Sequence, residues 1–232
     1  MPADHFEQQI RRRKLLSVGL GGSVGLLAGG TIAAWYLRNA DESSVVVLGS
    51  GSAVSVLIRD ERRSVLLLAG DDANSLGAAL GAAQPILAPA PELVLIHPGT
   101  KERLVAKVTS GNHDHIWVLP GGTEDQGLAV ARDAFNVALG TDMLVDLRPQ
   151  HRSWTALVRW GDSERIAIVP NGGALRSKAA VAIVLDGSSA PSHAGQTIIG
   201  PQLDDEPEGY LGVAPGAVRH IQLSAKETRI ER

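Results

Sequence analysis

A chain of 232 residues has room for a leading segment and one domain of ordinary size, and a formal charge of −3 provides no overall pull toward a phosphate backbone. It contains no cysteine, which removes disulfides, thiolate metal sites and a cysteine nucleophile together. Apolar residues make up 44% but aromatic ones only 3%, so a core has to be built from Val, Ile, Leu and Ala, which favours a β-rich interior over an aromatic binding cleft.

Residues 1–14 are polar and end in the basic cluster Arg11, Arg12, Arg13 and Lys14. Leu15–Leu37 comes next without a single charge, and as a helix rising about 1.5 Å per residue it spans a hydrocarbon core of roughly 30 Å. Trp35 and Tyr36 suit an interface, and the basic cluster before the segment predicts a cytoplasmic N-terminus with the remainder outside. Two readings stand side by side: a retained single-pass anchor, or a removed twin-arginine-type signal built on Arg12-Arg13-Lys14-Leu15-Leu16, for which Thr31-Ile32-Ala33 is a poor cleavage site. Both export the rest of the chain. Gly21, Gly25 and Gly29 recur every fourth residue and offer a face for helix packing and a homodimer. The plainer reading is that they lower the hydrophobicity of an export signal. Residues 38–43 are a short linker, and the acidic balance beyond it disfavours nucleic acid as a partner.

From Ser44 the pattern is strand, turn, strand. The runs SVVVL, AVSVLIR and SVLLLAG, separated by Gly49-Ser50-Gly51-Ser52 and by the charged turn Asp60–Arg63, read as a β-meander. Gly49-Ser50-Gly51 is not a phosphate loop, because neither a lysine nor a helix comes after it. Asp71, Asp72 and Asn74 precede a predicted helix over Ser75–Ala83. The strand Leu93–His97, a Pro98-Gly99 turn, a helix from Thr100 to about Val108 and the strand HIWVLPGG complete a β-α-β alternation. Glu124–Leu139 places Leu128, Ala131, Phe135 and Leu139 at helical spacing and predicts an amphipathic helix. Strands return in DMLVDL, WTALVRW, RIAIVP and AAVAIVL. An irregular loop is expected over Asp186–Pro215, then two short strands in GAVRHIQL and TRIER.

Few residues stand out chemically. No serine has the Gly-x-Ser-x-Gly context of a nucleophile. His97 reads as the cap of a buried strand, and Asp71 and Asp72 as a helix cap with a metal role as the alternative. His113 and His115 point the same way in an extended segment and could chelate one ion, although a His pair in a polar turn is commonly solvated. Trp154 and Trp160, six apart, fall on one face of their strand as packing residues.

The order of these segments resembles the metallo-β-lactamase superfamily, and within it the extracytoplasmic domain of ComEC-type competence proteins, over about Val45–Leu223. The resemblance is carried by VVVLGSGSAVSVLI, SVLLLAG, ELVLIHPGTKER, RWGDSERIAIVPNG and AAVAIVLDGSS. It implies an α/β (α+β) class, a metallo-β-lactamase-like αβ/βα sandwich over 44–232 preceded by one N-terminal transmembrane or signal helix. It also implies paired metal ions, held in the family by imidazoles and carboxylates. At the corresponding positions this chain keeps His97 alone. Lys101 stands for an Asp, Glu102 for a His, Leu68 and Asn171 each for an Asp, and Asp186 for a late His. The expectation is therefore a ligand-poor, non-catalytic binding or structural component at the cell surface, without a cofactor, meeting the membrane and a surface protein. The alternative is a zinc- or manganese-dependent phosphodiesterase or nuclease with a site remodelled from His97, His113, His115, Asp71 and Asp72.

Overall fold

The structure is a computed structural model and describes residues 43–60, 63–83, 91–109, 115–120, 129–150, 153–171, 177–187, 196–224 and 227–231. The chain divides into two units, Met1–Asn39 and Ala40–Arg232, and every described residue belongs to the second. The basic N-terminus, the apolar segment 15–37 with Gly21, Gly25 and Gly29, and nearly all of the linker lie outside the described residues. Among the described residues no helix is long and apolar enough to cross a membrane.

The first three strands, β1 (Ser44–Gly49), β2 (Val54–Asp60) and β3 (Arg63–Leu68), form an antiparallel meander. Their side chains alternate between two covered faces, so both parities are apolar. Val45, Val47, Val56, Ile58 and Leu67 point into the core between the sheets. Val46, Leu48, Leu57, Leu66 and Leu68 point outward beneath helices.

Helix α1 (Ala73–Ala83) carries the chain back, burying Leu76, Ala79 and Ala83 at three- and four-residue intervals, and β4 (Leu93–Ile96) then runs parallel to β3. Helix α2 (Glu102–Thr109) repeats the crossover with Leu104 and Val105 buried, and β5 (His115–Val118) and β6 (Ala129–Val130) extend the parallel part. The C-terminal strands β14 (Val218–Leu223) and β15 (Thr228–Ile230) join at the side of β1, giving the order β15-β14-β1-β2-β3-β4-β5-β6.

The second sheet starts antiparallel in β7 (Phe135–Ala138), β8 (Met143–Gln150), β9 (Ser153–Trp160) and β10 (Ser163–Val169). It continues parallel through β11 (Val181–Val184), β12 (Thr197–Pro201) and β13 (Tyr210–Val213). Its inner residues, among them Val145, Trp154, Val158, Ile168 and Ile183, share one core with the inner face of the first sheet. Burial of each such side chain stabilises by about 1.5–3 kcal/mol, enough in sum to fix the sheets face to face.

Three expectations are corrected. The α/β class with a metallo-β-lactamase-like αβ/βα sandwich gives way to a mostly β domain, 53% strand against 11% helix, made of two large mixed sheets. Both described helices pack on the outer face of the first sheet, and among the described residues none lies on the outer face of the second, where Val169, Ala182, Val184, Ile198 and Tyr210 form their own apolar cluster.

The amphipathic helix expected over Glu124–Leu139 is absent from its described part, which contains β6 and β7. In Phe135–Ala138 the exposure alternates, Phe135 and Val137 turned inward and Asn136 and Ala138 outward, a period of two that decides for strand. The loop expected over Asp186–Pro215 contains β12 and β13. Thr197-Ile198-Ile199 supplies the β-branched run for the first of them.

Candidate functional site

Parallel strands leave their carboxyl ends free to carry function, and here the ends of β3 and β4 meet the ends of β10 and β11 along one rim. The rim is closed by backbone. Val54 N–H donates to Leu185 C=O at 2.9 Å, Asp186 N–H donates to Pro170 C=O at 2.9 Å, and Ala53 and Asp186 form an isolated antiparallel bridge. All but two of the ligand candidates and ligand positions singled out in the sequence come to this place. His115 does not: it pairs with Leu93, at the far end of β4 from His97, roughly 13 Å away at 3.3 Å per residue. His113 lies outside the described residues.

Each rim residue has a local task. Leu68 is fully buried among Leu66, Ile96 and Leu104, so no polar group stands at that position. His97 N–H donates to Leu68 C=O at 2.8 Å and opens a turn in which Thr100 N–H returns to His97 C=O at 3.1 Å. Pro98 fixes the second position of this type II turn, and Gly99, at φ 90°, supplies the third, which side chains with a Cβ resist. The Thr100 hydroxyl lies 2.6 Å from His97 C=O and 3.1 Å from Leu68 C=O and ties the turn to β3.

Lys101 and Glu102 are exposed at the start of α2, and the Lys101 N–H donates to Gly70 C=O at 3.1 Å. Asp71 accepts from the Ser52 N–H at 3.0 Å. Asp72 is the N-cap of α1, accepting from Asn74 N–H at 2.9 Å and from the Ser75 hydroxyl at 2.6 Å. The Ser75 hydroxyl first and the Asn74 N–H second hold its carboxyl below the usual aspartate value of 3.8. Asn171 and Asp186 are exposed.

The His97 imidazole is half-buried and meets the indole of Trp154 edge-on, with ring centroids 6.0 Å apart and planes at 67°. Burial lowers its pKa from 6.5, and the Asp186 carboxylate opposes this to a lesser degree. Trp154 is wholly buried, and among the described residues its indole N–H has no acceptor. One side of the His97 ring is thus taken up by an aromatic side chain. Among the described residues, no group of three His, Asp or Glu side chains is placed to hold one metal ion.

No protein-family model, no curated protein and no solved structure matches the chain.

The capability of the rim is set by its own groups, and two of these the sequence did not mark. Ser50 and Ser55 are fully buried, and their hydroxyls converge on Ala69 C=O at 2.6 and 2.8 Å, fastening the β1–β2 turn to the end of β3. Inside Gly49-Ser50-Gly51-Ser52 and AVSVLI they look like turn and strand serines, and nothing local distinguishes them. Trp154 was legible as a packing residue; its place against His97 depends on how the two sheets align.

Proposed function

We propose that this chain is a non-catalytic component of the cell surface, exported behind its N-terminal apolar segment, whose β-sandwich presents the rim to a surface protein partner. One observation carries the proposal: the imidazole and the two turn aspartates at the rim are committed to the fold, and Lys101, Glu102 and Asp186 stand exposed without forming a metal-holding group among the described residues. The His97 ring packs on Trp154, Asp72 caps α1, Asp71 holds the Ser52 N–H, and Leu68 is core. General acid, base or metal chemistry needs such groups convergent and uncommitted.

Elemental analysis of the full chain, with a phosphodiester assay in added zinc and manganese, tests the proposal. The expected result is substoichiometric metal and no turnover. Stoichiometric metal with turnover that is lost in His97→Ala would reject it.

A further inference from the structure

At the rim one pair of rings, His97 at the end of β4 and Trp154 in β9, meets between the two sheets beside the backbone bonds that join them, Val54 N–H to Leu185 C=O and the Ala53–Asp186 bridge. Among the described residues the indole N–H has no acceptor although the side chain is fully buried, so packing holds it, and a buried donor without a partner is a local cost.

The groups around His97 differ in charge. β9 contributes Trp154, which is neutral, and β3 contributes the Leu68 C=O that accepts from the His97 N–H. The end of β11 contributes Asp186, exposed and near enough for its charge to act on the imidazole. Asp71, in the β3–α1 turn, is engaged with Ser52, and Lys101 and Glu102 on the far side of the His97 turn face solvent. An uncharged ring can sit against the indole at little cost. A charged one must either be desolvated there or move to the carboxylate.

We propose that His97 and Trp154 form a proton-operated latch between the two sheets, closed while the imidazole is neutral and opened when the protonated ring leaves the indole for Asp186. This goes beyond the binding role proposed above and holds whatever the rim contacts. Burial already disfavours the charged ring, so the folded protein keeps His97 neutral in a pH range where the unfolded chain has begun to protonate it. In that window the unfolded state binds more protons, and stability therefore falls as pH is lowered from 6.5 toward the folded value. Acid releases this ring contact and leaves the backbone bonds of the rim in place.

The test follows the Trp154 indole N–H and the His97 ring in nitrogen-15-labelled full chain as pH is lowered, the indole signal being assigned with Trp154→Phe. One shared transition below pH 6.5 is expected. It should vanish from the indole in His97→Gln and move to lower pH in Asp186→Asn, while Trp117 and Trp160 hold still. An indole signal that stays fixed while His97 titrates overturns the latch. So does a shared midpoint above 6.5, which would mean that the cation is favoured on the indole face. Should His97→Gln fail to fold, Asp186→Asn still decides, because an unmoved midpoint removes Asp186 from the mechanism.

Discussion

The two ends of the sandwich join the same sheets by different means. At the rim a ring contact, whose indole N–H has no acceptor among the described residues, lies beside backbone bonds between the sheets, Val54 N–H to Leu185 C=O at 2.9 Å and the Ala53–Asp186 bridge. At the far end side chains make the polar contacts. Asp60, buried at the end of β2, accepts from the Ser43 hydroxyl, and its second oxygen lies where a Cβ on Gly140 would fall, 2.1 Å away, so the β7–β8 turn can approach only because residue 140 is glycine. Arg63 adds a hydrogen bond across the gap to Ala138 C=O at 3.2 Å. Dispersion contacts are non-directional and tolerate sliding, whereas a buried carboxylate with fixed donors does not. The ring contact is therefore the part of the rim that can give, while its backbone bonds and the fixed carboxylate of the far end hold.

The largest effect that would break this comparison comes from the rim, because volume outweighs hydrogen bonding in a core. Trp154→Ala removes a wholly buried indole and should cost about 3–5 kcal/mol in denaturant unfolding. Trp154→Phe keeps an aromatic ring and deletes the orphan donor, so much of that loss should be recovered. A Phe variant as unstable as the Ala variant would mean that the indole N–H has an acceptor after all, and the contrast between the ends would collapse.

At the far end, Asp60→Ala strands the Ser43 hydroxyl in a buried site and should cost about 1–3 kcal/mol. The more informative readout is where the loss appears. Amide exchange should quicken first at β1, β2 and the β7–β8 turn, while the backbone bonds of the rim, Val54 N–H to Leu185 and Asp186 N–H to Pro170, keep their protection. Uniform acceleration across both ends would show the sandwich opening as one body.

How much of this was legible in sequence depends on the range of the physics. Both described helices and eleven of the fifteen described strands were readable, because capping, turn chemistry and apolar runs act within a few residues; Asp72 before α1 and Pro98-Gly99 after β4 are examples. The helix misread over Glu124–Leu139 shows the limit. Leu128, Ala131, Phe135 and Leu139 satisfy a helical period, yet Phe135 and Val137 find a sheet core on one side, and tertiary burial overrides spacing. The misjudged fold class has a similar source: strand order constrains the sheets but not what covers the outer face of the second one. For the candidate site, His97 and its turn were visible and its partner was not. Trp154 is 57 positions away in the chain, and only the alignment of two sheets brings the rings together.

The smallest predicted effect guards the comparison against a simpler account, in which the far end is firm because of its ion pair. Arg63 and Glu92 approach to 3.8 Å, but their side chains are 53% and 40% exposed, so water screens the attraction and two long side chains lose freedom in keeping it. A double-mutant cycle on Arg63→Ala and Glu92→Ala should return a coupling energy below about 1 kcal/mol. The single Arg63→Ala change should cost more than that coupling, since the guanidinium also donates to Ala138 C=O and thereby reaches the second sheet. If the coupling instead equals the whole cost of Arg63→Ala, the cross-sheet hydrogen bond contributes nothing. The close packing of Asp60 against Gly140 would then carry the junction at that end.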